Sequence, residues 1–558
     1  MKLLPIGLSD YKRLIEDDYY YVDKTLLIQE LRIRGGIVTL IPRPRRFGKT
    51  LNLSMLRYFY EKTEKSNAHL FEDKKIWNIP EMAKLQGKFP VIFVTFKDVK
   101  ESDWEVTKGK LIDIIAREYA RHDYLLETNI LKDFEKELFR NICAQKATSK
   151  DYHNSLRNLS DFLERYHQEK VVVLIDEYDS PVHAGYQHNY YNNIIEFMRG
   201  LLCGVLKDNS SLERSVITGI LRTAKEGIFS GLNNLEVATI LNQNFSDKFG
   251  FTQQEIDRML ADYQLEQIAP QFKDWYNGYL IGETKIYNPW SALNCVKSGG
   301  SLIPYWVNTS DNGLIRTIIA QASPQIKEAC AQLVQGNALP DIQIDDKMVL
   351  PGMSNDANSI WSLLLFSGYV TISHVVINAR GHYICSLVLP NKELLSLFDT
   401  LISDLFRQSL GYDDVRYLEQ ALGEADGKLF GKLLAKFMIQ SMSFHDVDTN
   451  EPEKSYHLFA LGLLVVLSNN YAVRSNRESG YGRYDIMLIP HAKTLPGVII
   501  EFKKFDSDED ETMQECADRA LEQIQKRDYA AELRSQGVEK IAFFGIACHK
   551  KDILLKQA

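Results

Sequence analysis

Two groups of residues in this chain have types and spacings that could do chemistry. The first begins at Arg43-Pro44-Arg45-Arg46-Phe47-Gly48-Lys49-Thr50. It follows the apolar run Ile37-Val38-Thr39-Leu40-Ile41 and precedes Leu51, Leu53, Met55, Leu56 and Tyr60, which recur at helical spacing. A strand, a basic glycine-containing turn and a helix form a setting for phosphate. The first helical turn offers unpaired N–H groups and a partial positive charge. Gly48 allows the backbone to approach, Lys49 reaches the outer phosphates, and the Thr50 hydroxyl ligates magnesium. Arg45, Arg46 and Phe47 complete the candidate loop. The usual first glycine of such a loop is replaced by Arg43, between Pro42 and Pro44, which predicts a stiffer and more cationic turn.

A second apolar strand supports this reading. Val171-Val172-Val173-Leu174-Ile175 ends in Asp176-Glu177. Asp176 is placed to hold magnesium, and Glu177 to orient or deprotonate an attacking water. Arg222, just after the strand Ser215-Val216-Ile217-Thr218-Gly219-Ile220, could sense a terminal phosphate. The plain alternatives are a solvated acidic strand end and a surface arginine.

The second group lies near the C-terminus. Val498-Ile499-Ile500 is apolar and runs into Glu501-Phe502-Lys503-Lys504. Alternate strand residues share a face, so Glu501 and Lys503 point the same way. Asp485 begins the neighbouring strand, after Gly480-Tyr481-Gly482-Arg483-Tyr484. If the strands pair, Asp485, Glu501 and Lys503 meet. Two carboxylates there suit a hard divalent cation, magnesium or manganese. Such a cation lowers the pKa of a bound water and neutralises a scissile phosphate, and Lys503 would hold the nucleophilic water or stabilise the transition state. Glu478 or Glu453 could add a ligand. An exposed strand end with an ion pair is the bland alternative. The acidic run from Asp506 to Glu511 reads as a solvated loop and helix start.

The elements that must position these residues follow from the rest of the chain. Its 558 residues are enough for two to four domains. Strands alternating with helices over residues 1–245 predict a doubly wound parallel sheet. Residues 246–415 read as a mostly helical lid or connector, with a helix over 252–263, a turn at Trp275-Tyr276-Asn277-Gly278-Tyr279 and the aromatic stretch Tyr287-Asn288-Pro289-Trp290. Residues 416–558 read as a separate α/β domain, with a helix over 453–467 before the strand pair and a long helix after it carrying Met513, Ala517, Ala520 and Ile524 on one face. The net charge of -8 argues against a nucleic-acid coat protein but allows a local basic groove. Seven scattered cysteines with no CxxC pair argue against zinc ribbons and redox motifs and fit a reducing, cytoplasmic setting. The longest apolar run is about half a membrane span.

Together these motifs resemble a known bacterial family. Tyr21-Val22-Asp23-Lys24-Thr25, the Arg43–Thr50 loop, Leu174-Ile175-Asp176-Glu177-Tyr178-Asp179 and Thr218-Gly219-Ile220-Leu221-Arg222 look like the AAA-ATPase-like family. Members commonly carry a C-terminal PD-(D/E)XK nuclease domain of restriction-endonuclease-like fold, to which the segment from Ser475 to Asp485 and Ile500-Glu501-Phe502-Lys503 are similar. The resemblance implies a P-loop ATPase domain binding ATP with Mg2+ (or Mn2+), a hydrolase acting on DNA, and a role in conflict with mobile elements. It also implies that Arg43 is the family's own form of the loop, and it raises assembly as a homo-oligomer. In related exonucleases a Gln and a Tyr follow the Glu-x-Lys strand, and Gln523 and Tyr529 resemble them at wider spacing. Two functions compete: an ATP-gated nuclease, and a nucleotide-dependent switch that binds a partner without cutting it. That all of Asp485, Glu501 and Lys503 are present favours the enzyme.

Overall fold

A computed structural model of the chain describes residues 1–222, 227–229, 232–306, 313–346, 356–409, 412–441, 470–479, 482–505, 511–549 and 552–558. The chain divides into two compact units. One comprises Met1–Leu314 with Pro340–Leu394, the other Ile315–Leu339 with Leu395–Ala558.

The first unit is built on five strands: β1 (Val38–Pro42), β2 (Val91–Thr95), β3 (Val171–Asp176), β4 (Leu212–Gly219) and β5 (Leu235–Val237). They pair in the order β2-β3-β4-β1-β5, and every pairing is parallel. All residues of β1 and β3 are buried, which is why both read as unbroken apolar runs. Helix Lys49–Tyr60 follows β1, and helices Trp104–Ala120, Asp133–Cys143 and Ser149–His167 lie between β2 and β3. In such sheets ligands sit beyond the carboxyl ends of the strands. The carboxyl ends of β1 and β3, on either side of β4, carry the basic loop and the Asp176-Glu177 pair.

The region after this sheet is mostly helical, as its sequence predicts, with helices Gln253–Asp262, Ala269–Tyr276, Pro289–Lys297 and Ala357–Phe366. The structure adds a hairpin of β6 (Tyr279–Ile281) and β7 (Thr284–Ile286), and a sheet ordered β8-β10-β9 from β8 (Leu339–Ile344), β9 (Thr371–Ile377) and β10 (Tyr383–Val388). The expected turn at Trp275 to Tyr279 is shorter than predicted. Trp275 and Tyr276 close a helix and only Asn277 and Gly278 turn, with Gly278 at φ 106. Gly278 faces the backbone of Pro390, where a Cβ would lie 2.0 Å from the Pro390 carbonyl oxygen. Breaker content overstated the turn because it registers Gly278 and Asn277, not the apolar packing of Phe272 and Tyr276 just before them.

The second unit carries β11 (Tyr471–Ser479), β12 (Gly482–Pro490), β13 (Gly497–Lys504), β14 (Ile541–His549) and β15 (Asp552–Gln557) in sequential order. Only β13 and β14 run parallel, and their crossover contains helix Met513–Lys526. Thr512 caps that helix in a reciprocal box with Glu515, and Cys516, Ala517, Ala520 and Ile524 face inward. β12 begins at Gly482, so Asp485 lies within the strand rather than at its start. The helix predicted over 453–467, with Glu453, lies outside the described residues, as does most of the acidic run. Among the described residues, no helix is long and apolar enough to cross a membrane.

One buried acid holds the helical region together. Glu393 is fully buried and accepts hydrogen bonds from Ser291 Oγ (2.8 Å) and the Trp306 N–H (2.6 Å). Burial pushes its carboxyl from 4.5 up to about 7, against these donors. A raised folded-state value means that its contribution is complete below about 4.5 and is lost as pH climbs through about 7. At roughly 1.4 kcal/mol per unit, the difference is about 3 kcal/mol. Thermal unfolding of Glu393→Gln, compared with wild type between about pH 5 and pH 8, should therefore show a flatter dependence of Tm on pH, with the wild type losing stability toward pH 8.

Candidate functional site

The basic loop leaves β1 at Arg43 and turns into helix Lys49–Tyr60 at Gly48, whose φ of 81 is the left-handed conformation that glycine tolerates. Lys49 is buried: its Nζ donates to the carbonyls of Arg43 and Pro44, each at 3.1 Å, and lies 3.2 Å from Glu177 Oε1. Burial, the largest single influence, lifts the Glu177 carboxyl, but Lys49, Arg45 and Lys100 together hold the group below the ordinary value. Asp176 is fully buried among three hydroxyls. Thr50 Oγ1 (2.8 Å) and Thr95 Oγ1 (3.2 Å) donate to Oδ2, and Thr218 Oγ1 (2.7 Å) donates to Oδ1. Burial, with Glu177 alongside, still pushes the Asp176 carboxyl up. A cation beside Thr50 and Asp176 would relieve that cost with oxygen ligands of the right hardness.

Arg43 does not add to the charge of the loop mouth. Its side chain is fully buried, with Nη1 donating to the carbonyls of Pro42 (2.8 Å) and Ala238 (2.7 Å) and Nη2 to those of Asn244 and Phe245 (3.3 Å each). Its guanidinium carbon lies 5.4 Å from the centre of the Phe249 ring, and burial brings its pKa down to about 9. The expectation of a more cationic turn is therefore corrected: the extra arginine is a buried clamp on the chain after β5. Arg45, Arg46, Phe47, Gly48, Lys49, Thr50 and Glu177 line one cavity of about 430 Å³. Tyr20, Tyr21, Phe251 and Trp290 supply aromatic wall, and Lys97 and Lys100 further positive charge. Arg222 is not among the lining residues and pairs with Asp346 Oδ2 at 2.8 Å.

Tyr178 and Asp179, just past the acidic pair, set the end of β4. Asp179 Oδ2 accepts the N–H groups of Ile220 (2.7 Å) and Leu221 (2.9 Å), and Tyr178 Oη donates to the Leu221 carbonyl at 2.8 Å. Sequence reading gave these residues no role, nor Thr95 and Thr218. The signs available were the strand-end position of Thr95 and the presence of Tyr178, Asp179 and Thr218 within the motifs that carry the resemblance.

In the C-terminal unit, β12 and β13 pair through Ile486↔Ile500, Met487↔Ile499 and Leu488↔Val498, which brings the next residues, Asp485 and Glu501, side by side. Asp485 Oδ2 accepts the Phe502 N–H at 2.8 Å. Glu501 is 2% exposed, and its Oε2 has no hydrogen-bond partner among the described residues. Lys503 Nζ lies 3.7 Å from Glu501 Oε1. Gln523, on helix Met513–Lys526, donates to Glu501 Oε1 and also to Tyr529 Oη at 3.2 Å. Burial, then the charge of Asp485, pushes the Glu501 carboxyl up to about 8. Glu478 lies on β11 opposite Arg483 of β12. Among the described residues, no three His, Cys, Asp or Glu side chains are grouped as a metal site.

Residues 5–229 match the family model described as a predicted AAA-ATPase, and residues 451–558 match that of the PD-(D/E)XK nuclease superfamily. The chain joins an AAA-ATPase-like domain to a PD-(D/E)XK nuclease superfamily domain. It is also 25% identical to an uncharacterized protein in the vnfD 5′ region of Azotobacter chroococcum mcd 1, over 98% of this chain and 96% of that protein.

In the AAA-ATPase-like domain, the phosphate loop and the acidic pair come together, whereas Arg222 is engaged elsewhere. In the nuclease domain, Asp485, Glu501 and Lys503 converge, and Gln523 and Tyr529 join them despite their wider spacing. Only Gln523 touches the Glu501 carboxylate; Tyr529, beyond the helix end, accepts from Gln523 and so acts through it.

Two stability outcomes follow. Arg43→Met should destabilise the protein by about 3 kcal/mol, since the four carbonyls left without this donor cost about 1 kcal/mol or more each and the relief of the buried charge offsets part of that; chemical denaturation measures it. Glu501→Gln, in the absence of divalent cation, should raise Tm above about pH 8, because it removes a buried charge opposed by Asp485.

Proposed function

We propose that the AAA-ATPase-like domain binds and hydrolyses ATP, and that the nuclease domain hydrolyses DNA phosphodiesters with a bound Mg2+ or Mn2+. The observation that carries the nuclease reading is the buried Glu501, with one oxygen unpartnered among the described residues and Lys503 3.7 Å from the other. A carboxylate so costly to bury is consistent with a site that a cation completes.

In the ATPase domain, Lys49 is shared between two loop carbonyls and Glu177. The β- and γ-phosphates of ATP would compete for Lys49 and draw it from Glu177. Glu177, released, takes the proton of the attacking water. Thr50 and Asp176 would hold the magnesium ion. The aromatic wall of Tyr20, Tyr21 and Phe251 suits the base. In the nuclease domain, Asp485 and Glu501 would hold the divalent cation, with Glu478 as a further candidate ligand. That cation supplies a water of lowered pKa and neutralises charge on the scissile phosphate. Lys503 Nζ stabilises the charge that builds on the phosphoryl oxygens. Gln523, fixed by Tyr529, holds the Glu501 carboxylate in one orientation. Control of mobile elements rests on the family resemblance alone.

The test incubates linear and circular DNA with the full chain, with and without ATP and Mn2+. Glu501→Ala and Lys503→Ala should each lower cleavage by about a hundredfold or more. Lys49→Ala and Glu177→Gln should abolish ATP turnover. Cleavage retained in both nuclease variants would sink the nuclease reading. ATP turnover with no cut DNA would favour a nucleotide-dependent switch that recognises a partner.

A further inference from the structure

The cations around the 430 Å³ cavity are not equivalent. Arg43 is turned into the interior, and Lys49 is held by carbonyls and Glu177. Arg46 differs from both. Its backbone φ is 68, in the left-handed region, which a long side chain adopts only where neighbours enforce it. Its guanidinium carbon lies 4.3 Å from the centre of the Trp290 ring, and both residues line the cavity. Arg46 is itself exposed and open to an anion; crowding of its side chain and the charge of Arg45 depress its pKa, with Glu177 opposing.

Trp290 comes from far along the chain and is itself firmly placed. Asn288 is buried and caps helix Pro289–Lys297, its Oδ1 accepting from the N–H groups of Trp290 (2.9 Å) and Ser291 (3.3 Å). Pro289 opens the helix. Ser291 Oγ in turn donates to the buried Glu393. The Trp290 backbone is thus fixed, and its half-buried indole stands at the edge of the phosphate loop. A guanidinium stacked on an indole uses its face and leaves its in-plane N–H fork free, which is the geometry that grips phosphate with two hydrogen bonds.

We propose that Trp290 is the positioning residue of the phosphate loop, holding Arg46 in its strained conformation with the guanidinium edge presented to the phosphate chain of a nucleoside polyphosphate. This rests on the nucleotide reading above and extends it. Phosphate affinity then depends on a side chain supplied by the helical region after the sheet, not by the loop or the sheet.

Binding to the full-length protein is measured calorimetrically with ATP, sodium tripolyphosphate and adenosine. Trp290→Leu should weaken ATP and tripolyphosphate by roughly fivefold, the upper end for a cation–π contact at an exposed guanidinium, and leave adenosine unchanged. Trp290→Phe should retain most of the affinity. Arg46→Lys, which keeps charge but loses the flat face, should match Trp290→Leu. Adding Trp290→Leu to Arg46→Ala should weaken binding no further. Wild-type affinity in Trp290→Leu, or losses that simply add in the double variant, would overturn the proposal. A lowered Tm in Trp290→Leu with no coupling to Arg46 would assign the indole to packing and overturn it too. If wild type binds tripolyphosphate but not ATP, the nucleotide reading fails and the Trp290–Arg46 cradle is still tested; if it binds neither, both fail.

Discussion

The N-terminal architecture turns on a single buried carboxylate. Asp176 takes hydroxyl hydrogen bonds from the phosphate-loop helix through Thr50, from the end of β2 through Thr95 and from the end of β4 through Thr218. A charge that deep is tolerated only when its oxygens are satisfied. The need to satisfy it ties three elements, far apart in sequence, to one point beyond the strand ends. The same point is where an oxygen-loving cation and the outer phosphates of a nucleotide would have to meet.

Around that point the protein moves charge about rather than accumulating it. Arg43 is withdrawn from the loop and clamps carbonyls after β5. Lys49 is shared with Glu177. Arg46 is laid against Trp290. On the nucleotide reading proposed above, Lys49 and Arg46, unlike the buried Arg43, are the cations whose present contacts phosphate oxygens would replace or complement. Asp179 and Tyr178 fix the turn after β4, so the backbone leading to Arg222 is rigid although Arg222 itself pairs with Asp346.

The nuclease domain shows the opposite economy. Glu501 is buried with one oxygen unpartnered among the described residues, next to Asp485, and its carboxyl is pushed up to about 8. Folding alone gains nothing from that arrangement, since a neutral side chain would be easier to bury. Sites that are costly to the fold in this way are characteristically those kept for binding and chemistry. Lys503, Gln523 and Tyr529 offset part of the cost and fix the carboxylate in place.

Much of this was already in the amino-acid order. The apolar runs of β1 to β4, the helix at Lys49–Tyr60, the acidic end of β3 and the Asp485, Glu501 and Lys503 set are all local patterns, and strand and helix periodicity depends on neighbours a few residues apart. What the order of residues did not contain were contacts across long separations. Arg43 reads as loop charge until the chain near Ala238 and Phe245 folds over it. Thr95 and Thr218 are ordinary strand residues until parallel pairing sets them beside Asp176. Trp290 is one aromatic among several until its capped helix reaches Arg46, and Gln523, with Tyr529 behind it, finds Glu501 because the crossover helix returns along the strand it follows. Local pattern determined which groups could react; tertiary packing decided which of them are buried, paired and aimed, because burial and partner choice are properties of the folded chain alone.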